Sequence, residues 1–286
     1  MAGSASGPID IQAVTIFNNS STSMPVIVKH LDATPNTVIL FSITLGIGFT
    51  LAYDESSGWK VFDASGNIQT AASGSGRFIK RTYLTSTSTV AFVAQSNTNS
   101  IFVRMVGGGA QGGGGAVTTG FDGSGGGAGA YLEWGGAVTP GASYNYNAGA
   151  GGTTGTTGAN GQAGANTVFT GPTTLTAPGG GAGLVGTSAA VPVTGGAGGT
   201  IPTNGQLNAV GQPGSQSYGS TALDNGSGNG GSSPLGSGGK GQANLSATTG
   251  IAASGYGGGG GGGTTTGSAT AGGAGSQGVV IVEEYT

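Results

Sequence analysis

The chain has 286 residues, of which 67 are glycine, with seven Lys or Arg, ten Asp or Glu, one histidine and no cysteine. A net charge of −3, with no basic cluster beyond the short "RFIKR" at Arg77 to Arg81, excludes nucleic-acid binding through phosphate neutralisation. The lack of cysteine excludes disulfides and thiolate metal sites.

The opening "MAGSASGPIDIQ" lacks a basic region followed by an apolar run, so no secretory signal is expected and the chain is read as made in a cytoplasm. Candidate strands follow: "IQAVTIFN", "MPVIVKHL", "NTVILFSITL", "GFTLAYD" and "WKVFD", separated by the turn formers "NNSSTS", "DATPN", "DESSG" and "DASGN". The apolar stretch "TVILFSITLGIGFTLAY" is interrupted by Ser42, Thr44, Gly46, Gly48 and Thr50, which predicts buried strands and not a membrane span. No 3.6-residue period is sustained, so no α-helix of note is expected. Short strands at this spacing predict a small antiparallel sandwich or barrel over residues 1–72. A second set, "RFIKRTYLT", "TVAFVAQ" and "SIFVRMV", is read as a β-strand connector over 73–106 that enters a second domain, 107–286.

Beyond Val106 the composition changes abruptly: residues 1–106 hold eight glycines and residues 107–286 the other 59. The glycines form islands such as "GGGAQGGGG", "GANGQAGA", "GSGGKG" and "GGGGGGG" without a lasting Gly-X-Y register, which excludes a collagen triple helix. Composition alone favours a flexible linker. Against that stand the embedded strand signals "AYLEWGGAVTPGASYNYNAGAG" and "NTVFTGPTTLTAPG", the dissimilarity of the spacers, and the closing "GVVIVEEYT", which is apolar enough to need a partner strand. A folded alternative is a packed set of polyproline II or polyglycine II helices. Such helices have three residues per turn and no internal hydrogen bonds, so neighbours must satisfy one another backbone to backbone. Any Cβ at the contact blocks the approach, so a surrounded helix is expected to be glycine at every position and a peripheral one only on its inner side. Gly257, Gly258, Gly259, Gly260, Gly261, Gly262 and Gly263 are then the scaffold glycines of a central helix about 22 Å long, and "GSGGKG", carrying Lys240, is peripheral.

The ordered series "IFVRMVGGGAQGGGG", "GGGAGAYLEW", "VTPGASYNYNAGAGG", "NTVFTGPTTLTAPGGGAG" and "GSQGVVIVEEY", over roughly Ile101 to Thr286, resembles the glycine-rich C-terminal domains of bacteriophage tail-fibre and receptor-binding proteins. It is also similar to the tip adhesins of T-even-like long tail fibres. The resemblance implies a virion protein, residues 1–72 serving as attachment and trimerisation module toward other virion proteins, and a glycine-rich tip that binds a host outer-surface protein or polysaccharide. It implies a homotrimer, which the apolar excess of the N-terminal strands also suggests. The spacers between islands carry the few apolar and aromatic groups of this half. Phe121, Leu184, Val191, Ile201, Leu207, Tyr218, Leu223, Leu245 and Ile251 are the candidate receptor-binding residues, apolar anchors in a polar surround. Two other readings are a head fibre or capsid-decorating protein with the glycine-rich domain as rigid spacer, and an ice-binding protein, against which the irregular threonine spacing argues.

Catalytic residues are not expected, because hydrolysis needs a placed base, nucleophile or carboxylate pair. His30 is read as a strand residue at a sheet edge, Asp54 and Glu55 as a solvated hairpin, and Glu133 and Asp122 are the acids near the glycine-rich half. "DNGSGNGG", Asp224 to Gly231, has the alternating oxygens of a calcium loop but one carboxylate, so neither a metal nor another cofactor is expected.

Overall fold

The computed structural model describes residues 13–31, 37–45, 47–54, 58–62, 64–66, 68–69, 77–117, 121–153, 157–187, 192–218, 226–243 and 246–286. The chain divides into two units, Met1–Gly76 and Arg77–Thr286. Every strand in both is antiparallel to its partners, and the described residues contain no helix.

In the first unit the runs of β-branched and aromatic residues form β1 (Ala13–Phe17), β2 (Met24–Leu31), β3 (Thr37–Leu45), β4 (Thr50–Asp54), β5 (Gly58–Phe62) and β6 (Ile68–Gln69). The order β1-β4-β5-β6 makes one sheet; β2 and β3 pair separately, with a bulge between Val28 and Lys29. Val26, Leu45, Leu51 and Val61 are buried together, flanked by Ile16, Met24 and Phe49. Asn18 ties the β1 end inward, donating from Nδ2 to the carbonyls of Thr22 and Leu45.

The second unit starts with β7 (Phe78–Leu84), β8 (Val90–Val93) and β9 (Ser100–Val106), and continues with β10 (Tyr131–Ala137), β11 (Ser143–Asn147), β12 (Thr167–Thr170), β13 (Thr174–Ala177), β14 (Leu207–Ala209), β15 (Gly236–Ser237), β16 (Ser254–Gly255) and β17 (Val279–Tyr285). Two sheets, ordered β14-β10-β9-β17-β7 and β13-β12-β11-β8, enclose Leu84, Phe92, Ile101, Val103, Met105, Leu132, Tyr146, Phe169, Leu175, Val280 and Val282. Residues 77–106 are therefore part of this sandwich and not a connector to it. The inward side chains of β7, β8 and β9 find cover only against β10 to β13 and β17. The apolar C-terminal strand lies between β9 and β7, pairing Val282 with Val103 and with Thr82.

Where the sandwich strands run out, the chain continues as extended passes rich in glycine. Twelve can be followed among the described residues: 107–115, 122–130, 148–153, 159–166, 178–186, 193–199, 210–217, 226–232, 238–243, 248–253, 257–264 and 269–278. Their hydrogen bonds rotate with a three-residue period. In the first pass the N–H groups of Gly107, Ala110 and Gly113 donate to the second pass, those of Gly108, Gln111 and Gly114 to the fourth, and those of Gly109 and Gly112 to the twelfth. In the second pass, Gly123, Gly126 and Gly129 donate to the eleventh, Ser124, Gly127 and Ala130 to the fifth, and Gly125 and Ala128 to the seventh.

The first, second and eleventh passes are the inner ones, closed into a triangle at one level. Ala110 N donates to Gly127 O, Gly126 N to Gly260 O, and Gly260 N to Ala110 O, at 2.9, 2.9 and 2.8 Å. Each of the other nine passes bonds to at least one of these three, so the cross-section is an inner triangle with a ring around it. Gly257 to Gly263 are all buried. Gly259 to Gly263 donate to the eighth, first and tenth passes and Gly257 to the twelfth, while the glycine run accepts from the second, ninth and twelfth. A Cβ at Gly260 would fall closer than 3.0 Å to the carbonyl of Gly273, and one at Gly259 equally close to Gly126. Lys240 sits exposed on an outer pass.

Surrounded passes are not glycine throughout, contrary to the sequence expectation. Ala110, Gln111, Ser124 and Ala128 lie in the first and second passes and are buried. Their side chains fit because the neighbour opposite is glycine: a Cβ at Gly152 would come within 3.1 Å of the Gln111 Cβ. Gln111 keeps its backbone bonds and adds two from its side chain, donating to Gly272 O and accepting from Gln162 N.

Candidate functional site

The passes alternate in direction, so their connections emerge at two ends. The near end is the sandwich, together with the turns around residues 200–206, 232–237 and 253–257. At the far end stand the feet of the connections after passes one, three, five, seven, nine and eleven; residues 118–120, 154–156, 188–191, 219–225 and 244–245 lie outside the described residues. Hydrogen bonds fix the feet of these connections: Ala116 N to Phe121 O, Tyr218 and Gly226 to each other, and Thr248 and Thr264 to each other.

The structure separates the residues singled out from the sequence. Phe121 and Tyr218 stand at the far end, with Tyr218 58% exposed, and Leu184 is just inside it, its carbonyl bonded by Ser124 N. Ile201 and Leu207 are well exposed but belong to the opposite, near end; Leu207 pairs with Glu133 on β10. Ile251 lies midway along the tenth pass, on the flank, its carbonyl bonded by Gly261 N. Val191, Leu223 and Leu245 lie outside the described residues. Val117, 67% exposed beside Phe121, is a far-end apolar group that the sequence reading passed over.

The polar residues of the spacers have structural partners of their own. Asn166 Oδ1 accepts from Gly179 N, Asn160 Oδ1 from Val185 N, Gln212 Oε1 from Ser232 N, and Asn229 Oδ1 from Gly241 N, at 3.1, 2.8, 2.8 and 2.7 Å. These side chains lace adjacent outer passes together alongside the backbone rungs. Within "DNGSGNGG", Ser227 Oγ accepts from Gln242 N and Asn229 Oδ1 is committed as above, so those oxygens serve the ladder. Asp224 and Asn225 lie outside the described residues. Among the described residues no three His, Cys, Asp or Glu side chains converge.

The acids sit in contrasting surroundings. On the outer face of the sandwich Glu283 receives Arg81 at 2.6 Å, Arg104, and the Tyr285 hydroxyl at 2.8 Å. Burial pushes its carboxyl up, but the Tyr285 and Arg81 hydrogen bonds and the Arg104 charge together outweigh it and hold the group below its ordinary value. Glu284, on the inner face, pins the 95–98 turn by accepting from Gln95 N and Thr98 Oγ1, with Lys80 3.4 Å away. Glu133 accepts the Tyr131 hydroxyl at 2.6 Å. At the far end Asp122 is buried; Oδ1 accepts from Thr265 N at 2.9 Å and Oδ2 has no partner among the described residues. Burial raises its carboxyl above the ordinary range, against the smaller opposing pull of the Thr265 bond. His30 and Asp54 are on β2 and β4 with side chains outside the described set, as is Glu55 altogether.

A family model described as a glycine-rich domain matches residues 85–285. The chain belongs to that family. No curated protein matches it. The match takes in both sheets and all twelve passes, so sandwich and bundle form one family unit, although β7, which pairs with β17, precedes it.

Proposed function

We propose that the chain is a bacteriophage fibre or spike component that binds a host-cell surface protein or polysaccharide, without chemical change in the receptor, through its far-end connections. In this reading the passes are polyglycine II helices, supported by the three-residue rotation of their hydrogen bonds. The observation that carries the proposal is the division of labour at the far end. The feet of the connections are held by backbone bonds that do not depend on side-chain identity, while the connections themselves differ in length and sequence and carry Val117, Phe121 and Tyr218. Dissimilar loops on a fixed base, with aromatic and aliphatic tips among small polar residues, suit recognition of a surface.

The reading places the protein on the virion as a homotrimer, with residues 1–72 as attachment and trimer-forming module; sedimentation of the intact chain as a stable monomer at micromolar concentration would count against that assembly. The decisive experiment exchanges the connection between Tyr218 and Gly226 for that of another glycine-rich protein and measures adsorption to host cells alongside circular dichroism. Altered adsorption with an unchanged spectrum is expected. Adsorption that survives exchange of every far-end connection would leave the bundle as a rigid spacer of a head fibre or decoration protein.

A further inference from the structure

Four Asn-Gly steps occur in the second unit, at Asn160, Asn204, Asn225 and Asn229. Asparagine followed by glycine is the sequence most prone to cyclise on itself, because no side chain shields the following backbone nitrogen. That nitrogen is the nucleophile, and its state differs among the four. Gly161 N donates to Gly183 O at 2.8 Å, Gly226 N to Tyr218 O at 3.2 Å, and Gly230 N to Gly239 O at 2.8 Å, all rungs between neighbouring passes or across a far-end foot. Gly205 N makes no hydrogen bond among the described residues. Asn204 is moreover exposed and is the one non-glycine residue with positive φ among the described residues, at 64°. Its side-chain amide is held by a single exposed bond, Nδ2 to Thr174 O at 2.9 Å. Asn160 and Asn229, by contrast, have their Oδ1 atoms engaged by Val185 N and Gly241 N.

We propose that Asn204 is a self-modification site, converting spontaneously to aspartate and isoaspartate while the other three Asn-Gly steps are locked by the bundle. The Gly205 nitrogen gives its proton to water and attacks Asn204 Cγ. A C–N bond forms, the Cγ–Nδ2 bond breaks, and Nδ2 takes a proton and leaves as ammonia. The succinimide ring then adds one water at either carbonyl and opens to aspartate or, with the main chain rerouted through Cβ and Cγ, to isoaspartate. One water enters, one ammonia leaves, and nothing is oxidised.

The location gives the change a consequence. Residues 135–223 contain no charged side chain, and conversion installs a carboxylate there. It does so in the turn that joins the two sheets: Thr203 bridges to Thr176 on β13, and Gln206 clasps Gly135 on β10 through both its amide atoms. The isoaspartate product lengthens the main chain between these two anchors.

The test is incubation of the full chain in warm neutral buffer, with site-resolved peptide mass spectrometry and enzymatic methylation of isoaspartate, beside a sample held in denaturant. In the folded chain Asn204 should convert at least about tenfold faster than Asn160, Asn225 or Asn229, whose nucleophiles are released only by local opening; in denaturant the four rates should converge. The Asn204→Gly variant keeps the positive φ without strain and should lose the isoaspartate signal of the folded protein. Conversion of Asn160, Asn225 or Asn229 at the rate of Asn204 in the folded chain would overturn the proposal. So would an Asn204 that stays intact while the denatured sample converts, or an undiminished signal in the variant.

Discussion

The sandwich and the bundle are made by the same continuous chain. β9, β10 and β17 become the first, second and twelfth passes across a single peptide bond or two, yet the two regions are held together by different physics. In the sandwich alternate residues meet an apolar interior, and Phe169, Met105 and Leu132 supply the stabilisation by leaving water. In the bundle the interior is main chain, and stability comes from backbone bonds that each contribute about 1 kcal/mol, set against the large conformational entropy that glycine loses. A side chain is therefore required in one region and obstructive in the other. The lesson is that close packing has two solutions, filling the space between backbones or removing it.

The largest expected effect tests the second solution. Gly260→Val places side-chain atoms where the Gly273 carbonyl sits, and the bundle should lose cooperative folding, a loss above about 5 kcal/mol. Thermal melting and amide exchange of Gly257 to Gly263 read the outcome, and a variant that melts like the parent would break the comparison. Phe169→Ala should cost about 3–5 kcal/mol through cavity formation, measured by denaturant titration, with the spacing of the passes unchanged. Equal loss of amide protection in sandwich and bundle would mean that the regions do not differ in what holds them.

The buried acids sharpen the contrast at smaller scale because they respond to pH in opposite directions. Glu283 is held below its ordinary value, so its stabilisation is complete above the unfolded value near pH 4 and disappears as pH falls through the lower folded one. Glu283→Gln should flatten that acid limb and lose about 1 kcal/mol at neutral pH. Asp122 is held above its ordinary value, so its ionised form is penalised at neutral pH and the penalty lifts as pH falls through the raised value. Asp122→Asn keeps an acceptor for Thr265 N, and melting should rise by roughly 2–4 °C per kcal/mol recovered in a unit of this size. A fall would show that the unpartnered oxygen is stabilised by something else. The smallest effect belongs to Lys240→Ala on the exposed ring, expected within about 0.5 kcal/mol.

The strands were legible because side chains write them. "VILFSITL", "SIFVRMV" and "VVIVEEY" alternate or run apolar as β structure demands, and the need of the last for a partner strand was readable from its hydropathy. The three-residue rotation was not legible in the inner passes, where every bond is made by main chain that all residues share. It is written faintly in the outer ones, as glycines three apart: Gly161 and Gly164, Gly180, Gly183 and Gly186, Gly196 and Gly199, Gly211 and Gly214, Gly228 and Gly231. That spacing divides residues 200–218 into a near-end turn, β14 and a full pass, and so Leu207 and Tyr218 stand at opposite ends. The lacing by Asn160, Asn166, Gln212 and Asn229 was hidden for another reason: a polar side chain on a polar surface looks the same whether it serves solvent, a receptor or the neighbouring backbone.

The ring around the three inner passes turns composition into a gauge of thickness. An outer pass needs a glycine only where it faces inward, about one residue in three for a three-residue period, whereas the eleventh pass is glycine from Gly257 to Gly263. Widening such a bundle raises the share of interior passes just as enlarging a disc lowers its perimeter relative to its area. Relatives with fewer interior passes should thus be poorer in glycine without being shorter, even though an interior pass can carry an occasional other residue, as the first does at Ala110 and Gln111.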